Sequence, residues 1–101
     1  MMLEIANLTV KPDQTAQFEA AFAIAAKIIA KSPGYISHEL QRCRERANGY
    51  VLLVRWHTLE DHTVGFRGSA PYLEWKALLH HFYDPFPTVE HFSLVHENIK
   101  L

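Results

Sequence analysis

Three separate stretches of the chain predict β-strands, two by alternation of apolar and polar residues and one by a run of β-branched and aromatic residues. Residues 2–10 alternate loosely, residues 35–43 alternate between apolar and polar positions, and residues 50–56 form a β-branched and aromatic run. Alternation with a period of two places successive side chains on opposite faces of a strand. The run at 50–56 follows Asn48 and Gly49, a pair that favours a tight turn, so the second and third strands are predicted to form a hairpin.

Two other stretches repeat their apolar residues every three or four positions, which predicts helices. The first helix is expected to begin near Pro12 and to end before Pro33, and the second to begin at Ser69 with Pro71 in its first turn. A shorter helix is predicted to start at Thr58, which can cap it. The apolar side of this short helix carries Leu59, His62 and Phe66.

A last alternating stretch, residues 88–96, completes the order strand, helix, strand, strand, helix, strand. With a central hairpin and right-handed crossovers, this order predicts an α+β, ferredoxin-like βαββαβ fold, in which a four-stranded antiparallel sheet carries both helices on one face. The strand at 50–56 is apolar on both faces, so the face without helices also needs a cover. We therefore expect a homodimer in which two sheets pack face to face.

Length and composition restrict the possible partners. At 101 residues, 49% of them hydrophobic, the chain is expected to form one domain over residues 1–101. The formal net charge of -1 argues against nucleic acid as a partner, and no apolar run approaches the ~20 residues that a membrane span needs. A single cysteine, Cys43, and the lack of a signal-peptide pattern predict a cytoplasmic protein.

Several segments together resemble the antibiotic biosynthesis monooxygenase-like domains, which belong to the dimeric α+β barrel group. The similar segments are Pro33-Gly34-Tyr35, Trp56, Leu59-Glu60-Asp61-His62 and the runs at residues 65–75 and 82–92. Since they span nearly the whole chain, residues 1–101 are interpreted as one such domain. The resemblance implies a small cytoplasmic homodimer with a cavity between the helices and the sheet of each subunit.

The resemblance implies less about the reaction than about the fold. Characterised relatives include cofactor-independent oxygenases of phenols and quinols, haem-degrading enzymes and isomerases of small metabolites. The haem-degrading branch is similar to this chain at Asn7. Its tryptophan position falls near Val64 or Gly65 here, and its histidine position falls near Trp75 or Lys76, so haem degradation is not expected.

We interpret the chain as a cofactor-independent monooxygenase that acts on a small aromatic phenol or quinol between the sheet and the helices. The alternatives are a non-catalytic small-molecule-binding dimer and an isomerase or metabolite-degrading relative on the same fold. In the oxygenase, the substrate's own anion reduces dioxygen, so the site must deprotonate a phenol, stabilise the anion and exclude water.

Three residues are candidates for that chemistry. Asn7 is predicted to donate a hydrogen bond to the substrate anion, and its alternative role is an amide paired with the sheet edge or a loop backbone. His62 and His91 are the candidate bases. The predicted substrate-binding residues are Trp56, Phe66 and Trp75, although a core position is the more common role for a tryptophan such as Trp56.

Seven histidines are many for this length, yet no pair of them has the spacing that zinc sites favour. His80 and His81 are adjacent on a helix and cannot both point at one ligand. No glycine-rich phosphate loop is present, which argues against a nucleotide cofactor. We therefore predict neither a metal nor a cofactor, while flavin binding through another geometry stays open.

Overall fold

The computed structural model describes residues 1–101, and its elements follow the predicted order. The strands and helices are β1 (Met2–Thr9), α1 (Thr15–Ile29), β2 (Tyr35–Arg42), β3 (Gly49–Trp56), α2 (Ala70–Leu79) and β4 (Val89–Phe92). A π-helical turn (Asp61–Phe66) follows β3, and a short 3₁₀ turn (His80–Phe82) follows α2. No helix has both the length and the apolar character needed to cross a membrane.

The four strands form one antiparallel sheet in the order β2-β3-β1-β4, which confirms the predicted ferredoxin-like α+β fold. Both helices pack on one face, which we call the inner face. Its buried residues on the two central strands are Glu4, Ala6, Leu8, Tyr50, Leu52, Val54 and Trp56. The opposite, outer face has no cover within the chain; its side chains on the central strands are partly or fully exposed.

Helix α1 supplies much of the core on the inner face. Its buried residues are Phe18, Phe22, Ala25 and Ile29, which fall within the predicted apolar stripe. The Phe18 ring lies 5.0 Å from the ring of Tyr50 on β3, so helix and sheet meet through aromatic contact. The helix begins later than predicted: Asp13 has a φ of 65°, which an α-helix does not accommodate, and the helix starts at Thr15.

Two strands depart from the simple alternation. In β2 a bulge between Tyr35 and Ser37 inserts one residue, so Tyr35 lies opposite Trp56 and His38 lies opposite Val54. The bulge thus brings both Tyr35 and His38 to the inner face, whereas strict alternation predicted them on opposite faces.

Strand β4 is shorter than the predicted residues 88–96. It pairs only with β1, where Phe92 lies opposite Leu3. Since β1 begins at Met2, one residue before Leu3, the antiparallel ladder has no further partner for the residues beyond position 93. The strand therefore ends at Phe92 for want of a neighbour, although the alternation of the sequence continues.

Candidate active site

A cavity of about 370 Å³ lies between the inner face of the sheet and the segments that follow β3. Glu4, Ala6 and Leu8 of β1 form its floor because alternation places them on the same face. Its aromatic walls are Phe66, Tyr72, Trp75, Tyr83 and Phe86. The volume lies at the lower end of the range for small-molecule sites, about 300–1,000 Å³.

The π-helical turn aims two side chains into this cavity. Thr58 and Asp61 bond reciprocally at its start, since Asp61 N–H donates to Thr58 Oγ1 and Thr58 N–H donates to Asp61 Oδ2, each at 3.1 Å. At its end, Arg67 N–H donates to the carbonyl oxygen of His62, five residues earlier. His62 and Phe66 are both buried on the same side of the turn, as their spacing predicted. Such wide turns often occur at functional sites.

Gly34, at the start of β2, packs against this turn. Its φ of 83° lies in the region that favours glycine, and a Cβ atom at this position would collide with the Asp61 carboxylate. The turn that holds His62 is therefore supported from outside the cavity by a residue without a side chain.

The aromatic walls contact one another mostly edge to face. Phe66 lies 5.3 Å from Tyr72 and 5.7 Å from Trp75, with ring planes nearly perpendicular in both pairs. Ser69 fixes the start of α2, because its Oγ accepts a hydrogen bond from Tyr72 N–H at 3.3 Å. Flat, rigid walls of this kind suit a planar aromatic ligand.

Four polar side chains form a continuous chain beneath the aromatic walls. Trp56 Nε1–H donates to Glu4 Oε1 at 3.0 Å, and His62 Nε2 lies 3.4 Å from the same oxygen. On its other side, His62 Nδ1 lies 2.8 Å from His91 Nε2. The strand register explains this chain, since Glu4 is paired with His91 across β1 and β4. The Trp56 ring also stacks on His62 at 5.4 Å.

Burial sets the charge of this polar chain. It lowers the pKa of His62 to about 3, with Arg67 and His91 acting in the same direction, so the imidazole is neutral at pH 7. The contact between His62 and Glu4 therefore joins a carboxyl group to a neutral ring. Burial also raises the pKa of Glu4, although the Trp56 hydrogen bond and the Arg67 charge oppose that rise.

Arg67 is the only lysine or arginine that lines the cavity. Its guanidinium makes no ion pair with a carboxylate within the chain. Its positive charge nevertheless lowers the pKa of Glu4 and of His62. Burial is the main cause of the lowered pKa of His91, and the charge of Arg67 adds to it. A cation at this position would favour any anion that forms inside the cavity.

With this geometry established, comparison with known proteins identifies the family. The family model for antibiotic biosynthesis monooxygenase matches residues 1–78. The chain belongs to this family. Membership accounts for the resemblance seen in the sequence and for the fold, and it assigns the chain to a monooxygenase-like group.

Similarity to individual proteins supports the assignment to this family. The uncharacterised Bacillus subtilis protein YczJ is 59% identical over 93 residues, 92% of this chain and 98% of that protein. Deoxynogalonate monooxygenase of Streptomyces nogalater is 42% identical over 55 residues, 54% of this chain and 44% of that enzyme. A Bordetella bronchiseptica structure assigned to the antibiotic biosynthesis monooxygenases has a TM-score of 0.90 at 35% identity and covers 94% of this chain and 97% of its own.

A further solved structure shares the fold at lower identity. It is SnoaB, a cofactor-independent oxygenase from Streptomyces nogalater, with a TM-score of 0.72 at 24% identity over 97% of this chain and 94% of that one. At that identity the likeness concerns the family fold alone.

Most residues predicted for the monooxygenase site lie in or beside the cavity. His62, Phe66 and Trp75 line it directly. His91 does not line it but contacts His62 from β4. Trp56 is fully buried behind His62 and is not part of the lining, so it lies where its alternative, a core tryptophan, was expected.

Asn7 lies outside the cavity. It is exposed on the outer face of β1, because it is an odd number of residues from Glu4, Ala6 and Leu8. The prediction that Asn7 stabilises a substrate anion between sheet and helices therefore does not agree with its position, and we do not retain it in the site.

Five lining residues with polar side-chain atoms were not predicted from the sequence: Glu4, Arg67, Tyr72, His80 and Tyr83. Glu4 did leave a signal: it interrupts the apolar row of Met2, Ala6, Leu8 and Val10. A single acid in an apolar row that becomes buried must find partners or shift its pKa. That signal pointed to Glu4 rather than to Asn7.

No group of three or more His, Cys, Asp or Glu side chains is arranged to hold a metal ion. The absence of a cofactor from the reaction stays a prediction from the sequence. The absence of a metal also stays a prediction from the sequence.

Proposed function

We propose that the cavity is the site of a cofactor-independent monooxygenation of a small aromatic phenol or quinol. The observation that carries this proposal is the combination of flat aromatic walls with a buried carboxyl group, Glu4, hydrogen-bonded to Trp56 at the cavity floor. Membership of the antibiotic biosynthesis monooxygenase family supports it, as does similarity to deoxynogalonate monooxygenase and to the cofactor-independent oxygenase SnoaB.

The proposed reaction needs only the substrate, dioxygen and a proton acceptor. For a phenol with a free para position, one oxygen atom becomes the new quinone carbonyl and the other leaves as water. Deprotonation makes the ring electron-rich enough to reduce dioxygen, which is why the protein must hold the anion rather than supply electrons. The polar chain of Glu4, His62 and His91 would receive the proton, and Arg67 would favour the anion.

The same proposal gives roles to the predicted walls. Phe66 and Trp75 would hold the ring of the substrate, and Trp56 would fix the polar chain from behind. By excluding water, these aromatic side chains strengthen the electrostatic interaction between Arg67 and a bound anion.

We also propose that the protein acts as a homodimer through the outer faces of two sheets. The centre of that face carries Leu3, Ile5, Val51 and Leu53, all only partly buried in the single chain. Phe92 and Leu94 beside it are 46% and 66% exposed. Contiguous apolar surface on a small domain is typical of an interaction site.

The direct test of the activity is dioxygen consumption with a series of quinols and phenols, together with quantitation of the quinone formed. We expect uptake of one dioxygen for each quinone above the rate of uncatalysed oxidation. Ala6→Leu should reduce both binding and turnover because it fills the cavity floor. Ala77→Leu, the same change at an exposed position of α2, is the control.

Binding without oxygen uptake would contradict the proposal and favour the non-catalytic small-molecule-binding dimer. Oxygen uptake that Ala6→Leu and Ala77→Leu leave equally intact would place the activity outside this cavity.

A further inference from the structure

Glu4 is the only acidic side chain that lines the cavity. It lies on the inner face of β1 beside Ala6 and Leu8 and is 6% exposed. Burying a carboxyl group among apolar side chains is unfavourable unless its oxygens are hydrogen-bonded. The hydrogen-bond partners of the two carboxyl oxygens therefore indicate the role of Glu4.

The two oxygens have different surroundings. Oε1 accepts from Trp56 Nε1–H at 3.0 Å and lies 3.4 Å from His62 Nε2. Oε2 accepts no hydrogen bond from a protein group. Every fully buried side-chain oxygen of the protein has a hydrogen-bond partner, so Oε2 is not fully buried. Since Glu4 lines the cavity, Oε2 is the oxygen that reaches it.

The two histidines that were predicted as bases, His62 and His91, are less well placed to take a proton from a substrate. Both ring nitrogens of His62 are directed at protein groups, Nε2 towards Glu4 and Nδ1 towards His91. His91 stands behind His62 and does not line the cavity. His62 therefore has no free ring nitrogen for a molecule in the cavity unless one of these contacts breaks. His91 keeps Nδ1 free, but it does not reach the cavity.

We propose that Glu4 is the catalytic base, that it receives the substrate proton on Oε2, and that the substrate is an acidic phenol or enol. This inference rests on the proposed function. In the step, the substrate O–H bond breaks, its electron pair stays on the substrate oxygen, and a new O–H bond forms at Oε2. Trp56 and His62 act as positioning residues because they hold Oε1 and leave Oε2 free.

The identity of the base limits the substrate. A carboxyl group is far more acidic than an ordinary phenol, whose pKa is about 10, and each unit of mismatch lowers the fraction of anion about tenfold. Burial raises the pKa of Glu4 and narrows this gap. The Arg67 guanidinium at the cavity wall narrows it further by favouring the substrate anion. Phenols and enols made acidic by a conjugated carbonyl fit best.

The test is anaerobic ionisation of phenols by the whole protein. 4-Nitrophenol, 4-hydroxybenzaldehyde and phenol are titrated without dioxygen at a pH where each is neutral in solution. Phenolate is read from its absorption, and binding from quenching of tryptophan fluorescence. The wild type should form phenolate with the two acidic probes and little with phenol.

The decisive variant is Glu4→Gln, which keeps the side-chain shape and an oxygen for Trp56. It should still bind the probes but form no phenolate, and aerobic turnover should fall by on the order of 10²-fold or more. Glu74→Gln makes the same change at an exposed position of α2 and should behave as the wild type. If Glu4→Gln does not fold, Glu4→Asp keeps the carboxylate but withdraws it, and should bind with reduced ionisation.

His62→Gln separates a base from a positioning residue. It should keep part of the phenolate signal and shift the pH at which ionisation begins, because it alters the surroundings of Glu4. Full phenolate formation by Glu4→Gln, or its loss in His62→Gln alone, would overturn the assignment of Glu4.

The two proposals can fail separately. Phenolate formation that depends on Glu4 but is never followed by oxygen uptake would retain the base and reject the monooxygenase. Oxygen uptake that Glu4→Gln leaves intact would do the reverse. Failure of all three probes to bind would count against both.

Discussion

Glu4 and Asn7 lie three residues apart on β1, yet their surroundings have nothing in common. Glu4 is 6% exposed on the inner face, held by Trp56 and close to His62. Asn7 is exposed on the outer face, where the chain provides no cover. Burial shifts the pKa of an ionisable side chain and requires hydrogen-bond partners for a polar one. An exposed polar side chain forms its hydrogen bonds with water instead. The two faces of one strand thus divide the protein into a reactive side and a side available for contact.

The largest expected effect comes from the centre of the inner face. Trp56→Ala removes a fully buried ring and the donor that holds Glu4, so the free energy of unfolding should fall by about 4 kcal/mol. Arg55→Ala, at the adjacent residue on the outer face, is the control and should lose less than ~1 kcal/mol when the unfolding of the monomer is compared. Equal losses in denaturant unfolding would remove the distinction between the two faces.

The outer face is examined by placing a charge at its centre. Leu53→Asp should raise the dissociation constant of the proposed dimer by on the order of 100-fold, because the carboxylate would be buried without a partner. Leu73→Asp, at a position that is 66% exposed on α2, should leave the dimer intact. Light scattering across a concentration series measures both. A wild type that is monomeric at micromolar concentration would exclude the dimer.

The buried histidine should make stability depend on pH. The pKa of His62 lies near 6.5 in the unfolded chain and at about 3 in the fold, so only the unfolded state gains a proton as the pH falls below 6.5. His62 should therefore contribute a loss of about 2 kcal/mol in unfolding free energy between pH 6.5 and pH ~5. The raised pKa of Glu4 acts with the opposite sign, since it favours the fold as the pH falls.

Comparing the wild type with His62→Gln isolates this contribution. The variant should show a shallower decrease of stability with acidification, measured by urea unfolding at several pH values. His96→Gln, which changes an exposed histidine, should keep the wild-type slope. An unchanged slope in His62→Gln would show that the ring is not held neutral.

The smallest expected effect is at Asn7. Asn7→Ala should change the free energy of unfolding of the monomer by no more than about 0.5 kcal/mol, because the amide is exposed in the single chain. Turnover of an active quinol should also be unchanged. A fall of ~10²-fold, the scale for one lost oxyanion donor, would return Asn7 to the site and contradict the division between the two faces.

The sequence predicted the strands and helices better than it predicted which face of the sheet the helices cover. Alternation along β1 separates Glu4 from Asn7, and the spacing of His62 and Phe66 places them on one side of a turn. Alternation does not say which face the helices cover, and on β3 both faces are apolar. The sequence therefore did not exclude Asn7 from the site, and only the packing of α1 and α2 on the other face does so.

Other differences arose from contacts between distant segments. The bulge that turns Tyr35 inward depends on pairing with β3, and the end of β4 at Phe92 depends on where β1 begins. The contact between His62 and His91 joins residues 29 apart in the chain. Local sequence patterns contain no information of this kind.

Gly34 makes the candidate site sensitive to change at a position outside it. The Asp61 carboxylate occupies the space that any side chain at Gly34 would need, and Asp61 immediately precedes His62. A side chain at position 34 would therefore collide with Asp61 and would also strain the backbone, because the φ of Gly34 lies in the region that favours glycine. We expect replacement of Gly34 to displace the turn that carries Asp61 and His62. For protein engineering, substitutions at position 61 offer a way to change the orientation of His62 without replacing a residue that lines the cavity.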